Sequence, residues 1–176
     1  MAAEAYSRVG PGIGVAIATS GPGATNFITG ICCAWFDSIP VLYISGQVNV
    51  NEQKGDTGVR QLGFQETDIV DIVRPITKFS AQITDPQKIK YFLDKAVSEA
   101  RSGRPGPVLL DIPLNVQHAE IDPDKLEGYK PQPEPDKTDL LLKEKIKSVF
   151  NLIGKATRPV ILAGGGIKLA KAEKEF

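Results

Sequence analysis

Apolar residues along this chain alternate between short unbroken runs and spaced stripes. Gly14-Val15-Ala16-Ile17-Ala18-Thr19 is a run closed by the turn residues Ser20-Gly21-Pro22-Gly23. A run of that length between turn signals predicts a buried strand. From Ala24 to Trp35 the period changes: Phe27, Ile28, Ile31 and Trp35 recur at three- and four-residue spacings, which predicts a helix, with Thr25-Asn26 placed to cap its free N–H groups. Val41-Leu42-Tyr43-Ile44-Ser45 is a second strand, ended by Gly46. Strand, helix and strand at this spacing make a βαβ unit with parallel strands and a right-handed crossover. Ahead of it, residues 1–9 read as a helix stopped by Gly10-Pro11-Gly12.

The same reading continues downstream. Asn49–Gly63 is polar and Gly-bearing, longer than a tight connection needs, and long ordered loops after strands are often functional. Residues 66–73 predict one or two helical turns, and Thr77–Ile83 a third strand. Asp85-Pro86 starts a helix that buries Ile89, Phe92, Leu93, Ala96, Val97 and Ala100 and stops at Ser102-Gly103. Pro107–Pro113 is a fourth strand, apolar on both faces. Prolines 123, 131, 133 and 135 then sit among charges, as in an extended linker over 121–137. An amphipathic helix follows from Leu140 to Ile153, then a strand over Pro159–Ala163 running into Gly164-Gly165-Gly166, and a charged helix-like segment over Lys168–Phe176. The expected fold class is α/β: a parallel sheet flanked by helices over 1–120, then the beginning of a second, Rossmann-like α/β domain over 138–176. A helix starting at residue 1 and a domain with one strand suggest a chain cut on both sides.

Composition narrows the function classes. The 176 residues carry 21 Lys+Arg against 21 Asp+Glu, so no basic footprint for nucleic acid or a membrane surface is expected. No apolar run is long enough to span a bilayer, and the first residues lack a signal-peptide pattern. Cys32 and Cys33 are neighbours, unsuited to a mutual disulfide or a metal site, and read as small buried hydrophobes in a reducing, cytoplasmic setting. The only histidine, His118, reads as a surface residue.

Five segments could carry chemistry. Thr19–Asn26 joins a strand to a helix start through Gly21 and Gly23, where backbone can approach a ligand. It lacks the lysine of a Walker A loop, and Asn26 stands where a dinucleotide fingerprint needs its third glycine. A plain βα turn is the competing reading. Gly46-Gln47-Val48 lies at the end of the next strand, on the rim where open α/β sheets form their crevices, or is a plain turn. Phe64-Gln65-Glu66-Thr67-Asp68 follows the long loop and could also be a helix start capped by Thr67-Asp68. Arg104-Pro105-Gly106-Pro107 holds an arginine on a rigid turn, otherwise a solvated one, and Gly164-Gly165-Gly166 suits close approach to a nucleotide.

The order of these segments is more specific than any one of them. Thr-Ser-Gly-Pro-Gly-Ala-Thr-Asn, Asp-Ser-Ile-Pro, Ile-Ser-Gly-Gln-Val, Phe-Gln-Glu-Thr-Asp and Gly-Arg-Pro-Gly-Pro-Val-Leu-Leu-Asp-Ile-Pro, in that succession, resemble the acetolactate-synthase-type thiamine-diphosphate enzymes. Residues 1 to about 120 resemble their pyrimidine-binding domain and 138–176 the start of their central domain. The resemblance implies a cofactor held between domains of two subunits, hence a homo-oligomer, dimer or tetramer, acting on small-molecule substrates with neither nucleic acid nor membrane as partner. It implies that a glutamate of the pyrimidine domain activates the cofactor. That glutamate is expected upstream of Met1, so no catalytic residue is expected in the chain itself.

The resemblance further implies that Pro22 and Asn26 pack against the pyrimidine ring, that Gln65 lies near the active site with Phe64 lining the approach, and that Gln47 shares that rim. Ser38, Arg104 and Gly165 match positions that contact FAD, largely structural, in flavin-bearing members. The magnesium motif of the family, Gly-Asp-Gly followed by Asn-Asn, does not occur in the sequence, so no metal ligand is assigned. The implied activity is decarboxylation of a 2-oxo acid such as pyruvate and transfer of the two-carbon unit to an acceptor carbonyl, as in branched-chain amino acid biosynthesis.

Two features depart from the usual pattern. The loop from Gln47 to Gln65 is longer, with the extra residues around Asn51–Gln61, and Leu114 replaces a lysine of the substrate channel. Both resemble a subgroup performing acyl transfer or lyase chemistry in modified-sugar or polysaccharide synthesis. A non-catalytic binding module of the same fold is a further alternative.

Overall fold

The computed structural model describes residues 1–131 and 140–176. The chain divides into two compact units, Met1–Gln132 and Pro133–Phe176.

The first unit is built on a four-stranded, all-parallel sheet in the order β1-β2-β4-β3. Its strands are β1 (Gly14–Ala18), β2 (Val41–Gln47), β3 (Phe79–Gln82) and β4 (Val108–Pro113). Helices α1 (Ala2–Val9), α2 (Pro22–Thr25), α3 (Phe27–Phe36), α4 (Ile69–Val73), α5 (Ile89–Arg101) and α6 (Leu114–Gln117) connect and cover them. The chain steps outward from β1 to β2 and on to β3, then returns to place β4 between β2 and β3. A right-handed crossover that reverses direction puts its helix on the opposite face. Accordingly, α3 and α4 bury Ile31, Ala34, Ile69 and Val73 against Val41, Tyr43 and Leu109 on one face, whereas α5 buries Ala96 and Ala100 against Leu42, Val108 and Leu110 on the other. Each large apolar side chain so buried contributes about 1.5–3 kcal/mol relative to exposure. On the first face α1 lies so close to β1 that a Cβ at Gly14 would stand 1.8 Å from the Ala3 carbonyl oxygen, which only glycine permits.

Several local expectations change. The helix expected over Ala24–Trp35 starts two residues earlier, with Pro22 in its first turn, and is interrupted at Asn26 between α2 and α3. Neither Thr25 nor Asn26 caps it: the Thr25 hydroxyl donates instead to the Pro22 carbonyl, 3.3 Å away. Strand β2 does not end before Gly46 but runs to Gln47, because β4 pairs Ile112 with Gly46 and Pro113 with Gln47. Asp68 precedes α4 without a side-chain cap, whereas Asp85 does cap its turn by accepting from the Gln87 amide. Cys32 and Cys33 are free and half-buried rather than buried. His118 is exposed.

The segment read as a linker over 121–137 is described only to residue 131; residues 132–137 lie outside the described residues. Up to that point it packs on the first unit, with Leu126 buried and Tyr129 edge-on to Tyr91, ring centroids 5.5 Å apart. In the second unit, α7 (Leu140–Lys155) forms as the periodicity predicts. The strand predicted over Pro159–Ala163 does not form: Val160 and Leu162 are 92% and 97% exposed, and a strand needs a paired neighbour. Of the helix-like end, only α8 (Gly166–Leu169) is helical nearby, followed by turns. Among the described residues no helix is long and apolar enough to cross a membrane.

Candidate functional site

Parallel strands present their carboxyl ends on one rim, and three of the five segments singled out from sequence meet there, together with Leu114. The turn after β1 carries Gly21 and Pro22, β2 ends at Gln47, and β4 leads straight into Leu114 at the start of α6. Gly21 has φ +61° and a hypothetical Cβ there would lie 2.8 Å from the Gln65 Cβ, so the Gly21 turn and the 64–68 segment are in direct contact. Pro22, Asn26, Phe64 and Leu114 are exposed, Phe64 by 82%.

Gln47 behaves differently from its neighbours on this rim. It is buried, and its amide is committed inside the protein: Nε2 donates to the Thr67 carbonyl at 2.9 Å and to Asp111 Oδ2 at 3.2 Å, while Oε1 accepts from the Val48 amide at 3.0 Å. Asp111 is almost wholly buried and accepts two further bonds, from the Ser45 hydroxyl at 2.6 Å and from Gln82 Nε2 at 2.9 Å. Sheet register explains the cluster. Ser45 and Gln82 both pair with Asp111 across β2-β4-β3, so the three side chains share a row and a face, and Gln47 follows two residues after Ser45 on that same face. Burial pushes the Asp111 carboxyl above its ordinary pKa, opposed by the bonds from Gln82, Ser45 and Gln47.

Glu66 organises the other side of the segment. Its carboxylate accepts from the backbone N–H groups of Lys54 at 2.7 Å, Leu62 at 2.9 Å and Gly63 at 3.2 Å. Burial raises its pKa, but these three bonds and the charge of Lys54 outweigh that and hold it below the ordinary glutamate value. The loop expected to be long is thereby folded back on Glu66, and Lys54 pairs with Asp68 at 2.5 Å.

The residues assigned to flavin contact lie elsewhere. Ser38 precedes β2 and Arg104 precedes β4, at the amino ends of the strands, the opposite rim from Pro22 and Gln65. The structure does bring these two together: Arg104 Nε donates to the buried Ser38 hydroxyl at 2.6 Å, and Ser38 holds a φ of +58°. Gly165 belongs to the second unit, in the turn before α8. Among the described residues no group of three or more His, Cys, Asp or Glu is placed to hold a metal ion.

Comparison with known proteins gives this arrangement its context. Residues 1–72 match the thiamine pyrophosphate enzyme N-terminal TPP-binding domain. Over 99% of its length the chain is 42% identical to the acetolactate synthase large subunit of Corynebacterium glutamicum and 40% identical to the probable acetolactate synthase large subunit of Methanocaldococcus jannaschii. Over 94% of its length it is 42% identical to the chloroplastic acetolactate synthase 1 of Zea mays. Residues 1–72 thus carry the N-terminal domain of the thiamine pyrophosphate enzymes. The chain spans 27%, 29% and 25% of those three relatives, about a quarter of their length.

The Asp111 cluster and the Glu66 nest are not singled out by the residues alone. The available signal for Asp111 was one carboxylate inside an otherwise apolar strand, which requires buried donors. Nothing local identified those donors as Ser45, Gln47 and Gln82.

Proposed function

We propose that this chain supplies the pyrimidine-side half of a thiamine-diphosphate site in an acetolactate-synthase-like enzyme. The observation that carries the reading is the contact of Gln65 with the Gly21-Pro22 turn on the carboxyl rim, within a sequence about 40% identical to acetolactate synthases along its whole length. The residues there suit a flat heteroaromatic ring. Pro22 and Phe64 offer exposed apolar surface, Asn26 and Gln65 offer amides, and the tight Gly21 turn keeps Cβ bulk out of the rim.

When bound, thiamine diphosphate supplies the carbanion chemistry of 2-oxo acid decarboxylation. The chain's own part is to seat and orient the ring: Pro22 and Asn26 from the turn, Gln65 from the facing segment. In the longer protein the substrate is a 2-oxo acid such as pyruvate, the two-carbon unit goes to an acceptor carbonyl, magnesium is held by another domain, and the assembly is a homo-oligomer. FAD contact at Ser38, Arg104 and Gly165 is part of the same proposal, on the opposite rim for the first two. Leu114, exposed beside the rim in place of a lysine, favours a second reading in which the acceptor differs, as in modified-sugar synthesis.

Amide NMR titration of the 176-residue chain tests the assignment. Thiamine diphosphate is expected to shift Gly21, Gly23, Asn26 and Gln65 weakly, whereas NAD leaves them in place. Shifts with NAD and none with thiamine diphosphate would instead assign a nucleotide-binding module. The same polypeptide is expected not to consume pyruvate, because the sequence lacks the family's metal motif.

A further inference from the structure

We infer that Asp111 is a positioning residue which, through Gln47, fixes the Thr67 carbonyl and thereby the placement of Gln65 over the Gly21 turn. The inference rests on the reading above that Gln65 faces the cofactor ring. Asp111 touches no ligand surface itself: it is 1% exposed and enclosed by Ser45, Gln47 and Gln82.

The link runs outward in two bonds. Asp111 Oδ2 accepts from Gln47 Nε2, and the same nitrogen donates to the Thr67 carbonyl two residues beyond Gln65. A primary amide has two N–H donors, so both are spent and Gln47 acts as a connector. From the other side, Glu66 holds the backbone of Lys54, Leu62 and Gly63. Between these two anchors Gln65 has φ +59°, a left-handed conformation that a residue with a Cβ adopts only where its surroundings impose it. The side chain thus placed is the one in contact with Gly21.

A carboxylate is the group this link requires. It accepts from three donors at once, whereas an asparagine offers one carbonyl and turns two N–H groups toward Ser45, Gln47 or Gln82. Because the Ser45 hydroxyl could accept from such an amide, the clean cut is Asp111→Ala, which removes the acceptor of all three bonds. Gln47→Met severs the same link and leaves the carboxylate in place.

Hydrogen exchange on the full 176-residue chain tests this. The amides of Glu66 and Ile69, bonded to the Gly63 and Thr67 carbonyls at 3.2 and 2.7 Å, report the segment. Both variants are expected to speed their exchange by about tenfold, on the order of one lost hydrogen bond, with amides of Ile44 and Leu110 in the central strands unchanged. The double variant is expected to exceed neither single one, since both cut one link. Equal acceleration in β2 and β4 would make Asp111 a support of the sheet only and overturn the inference, as would an unchanged 66–69 segment. If Asp111→Ala does not fold, Gln47→Met carries the same test. Thiamine diphosphate titration of the unaltered chain decides the cofactor reading separately, because the exchange pattern involves no ligand.

Discussion

Tyr43 has its hydroxyl buried with no hydrogen-bond partner among the described residues, while its ring packs on Phe27 with centroids 5.1 Å apart. Burial first, and then the charges of Glu4 and Cys33, push its pKa from 10.0 up to about 12. The unfolded chain loses this proton near the ordinary value while the folded one keeps it, so the native state binds the extra proton between those limits. Stability contributed by the protonated phenol is full below pH 10 and is lost as pH rises toward about 12. Tyr43→Phe removes an unsatisfied buried group, and a gain of about 1 kcal/mol is expected at neutral pH. Urea unfolding at pH 8 and 11 should show that gain widening at the higher pH; a variant less stable at both would mean that the hydroxyl is satisfied. At this scale the sequence was legible where a motif is local. Pro22, Asn26 and Phe64 sit exposed in the turn and segment where their motifs put them, whereas the partners of Asp111 depend on the register of three strands and no local pattern contains it.

Helices and strands were read with differing success for a physical reason. Helix α5 satisfies its backbone within itself, so the spacing of Ile89, Phe92, Ala96 and Ala100 sufficed to define it. The apolar run Pro159–Ala163 has the composition of a strand but no partner, and it stays irregular. Gly46 has the look of a strand end, yet pairing with β4 carries β2 through it after the β1 pairing has stopped at Ser45. One side chain ties the long loop after β2 at three backbone points. Glu66→Ala leaves the amides of Lys54, Leu62 and Gly63 without their acceptor, and cleavage within residues 53–63 by a broad-specificity protease is expected to accelerate several-fold. Because the folded pKa of Glu66 is depressed, its contribution is present above the ordinary glutamate range and is lost as pH falls through the depressed value. The unaltered chain should therefore approach the variant's cleavage rate at acid pH, and a variant cut no faster than the parent would remove Glu66 as the loop's anchor.

Strand order was not readable from the chain, since hydrophobic pattern marks buried strands without saying that β4 inserts between β2 and β3. That order has a consequence for the surface. Helix α5 covers the Leu42–Val108–Leu110 face, but on the same face Val15 and Ile17 of β1, which pair with Leu42 and Ile44, are exposed, Ile17 by 75%. Strand β1 also has an unpaired edge among the described residues, and an apolar edge strand is a template for another chain. Phe36 is 70% exposed at the end of α3, whereas the neighbouring Trp35 is only 36% exposed. Two apolar sites are thus in competition, and the strand offers backbone bonds in addition to side chains. Sedimentation velocity on the 176-residue chain is expected to show concentration-dependent association, weakened more by Ile17→Lys than by Phe36→Ser. The reverse ranking would move the interface to the end of α3, and a monomer at every concentration would show that neither surface suffices.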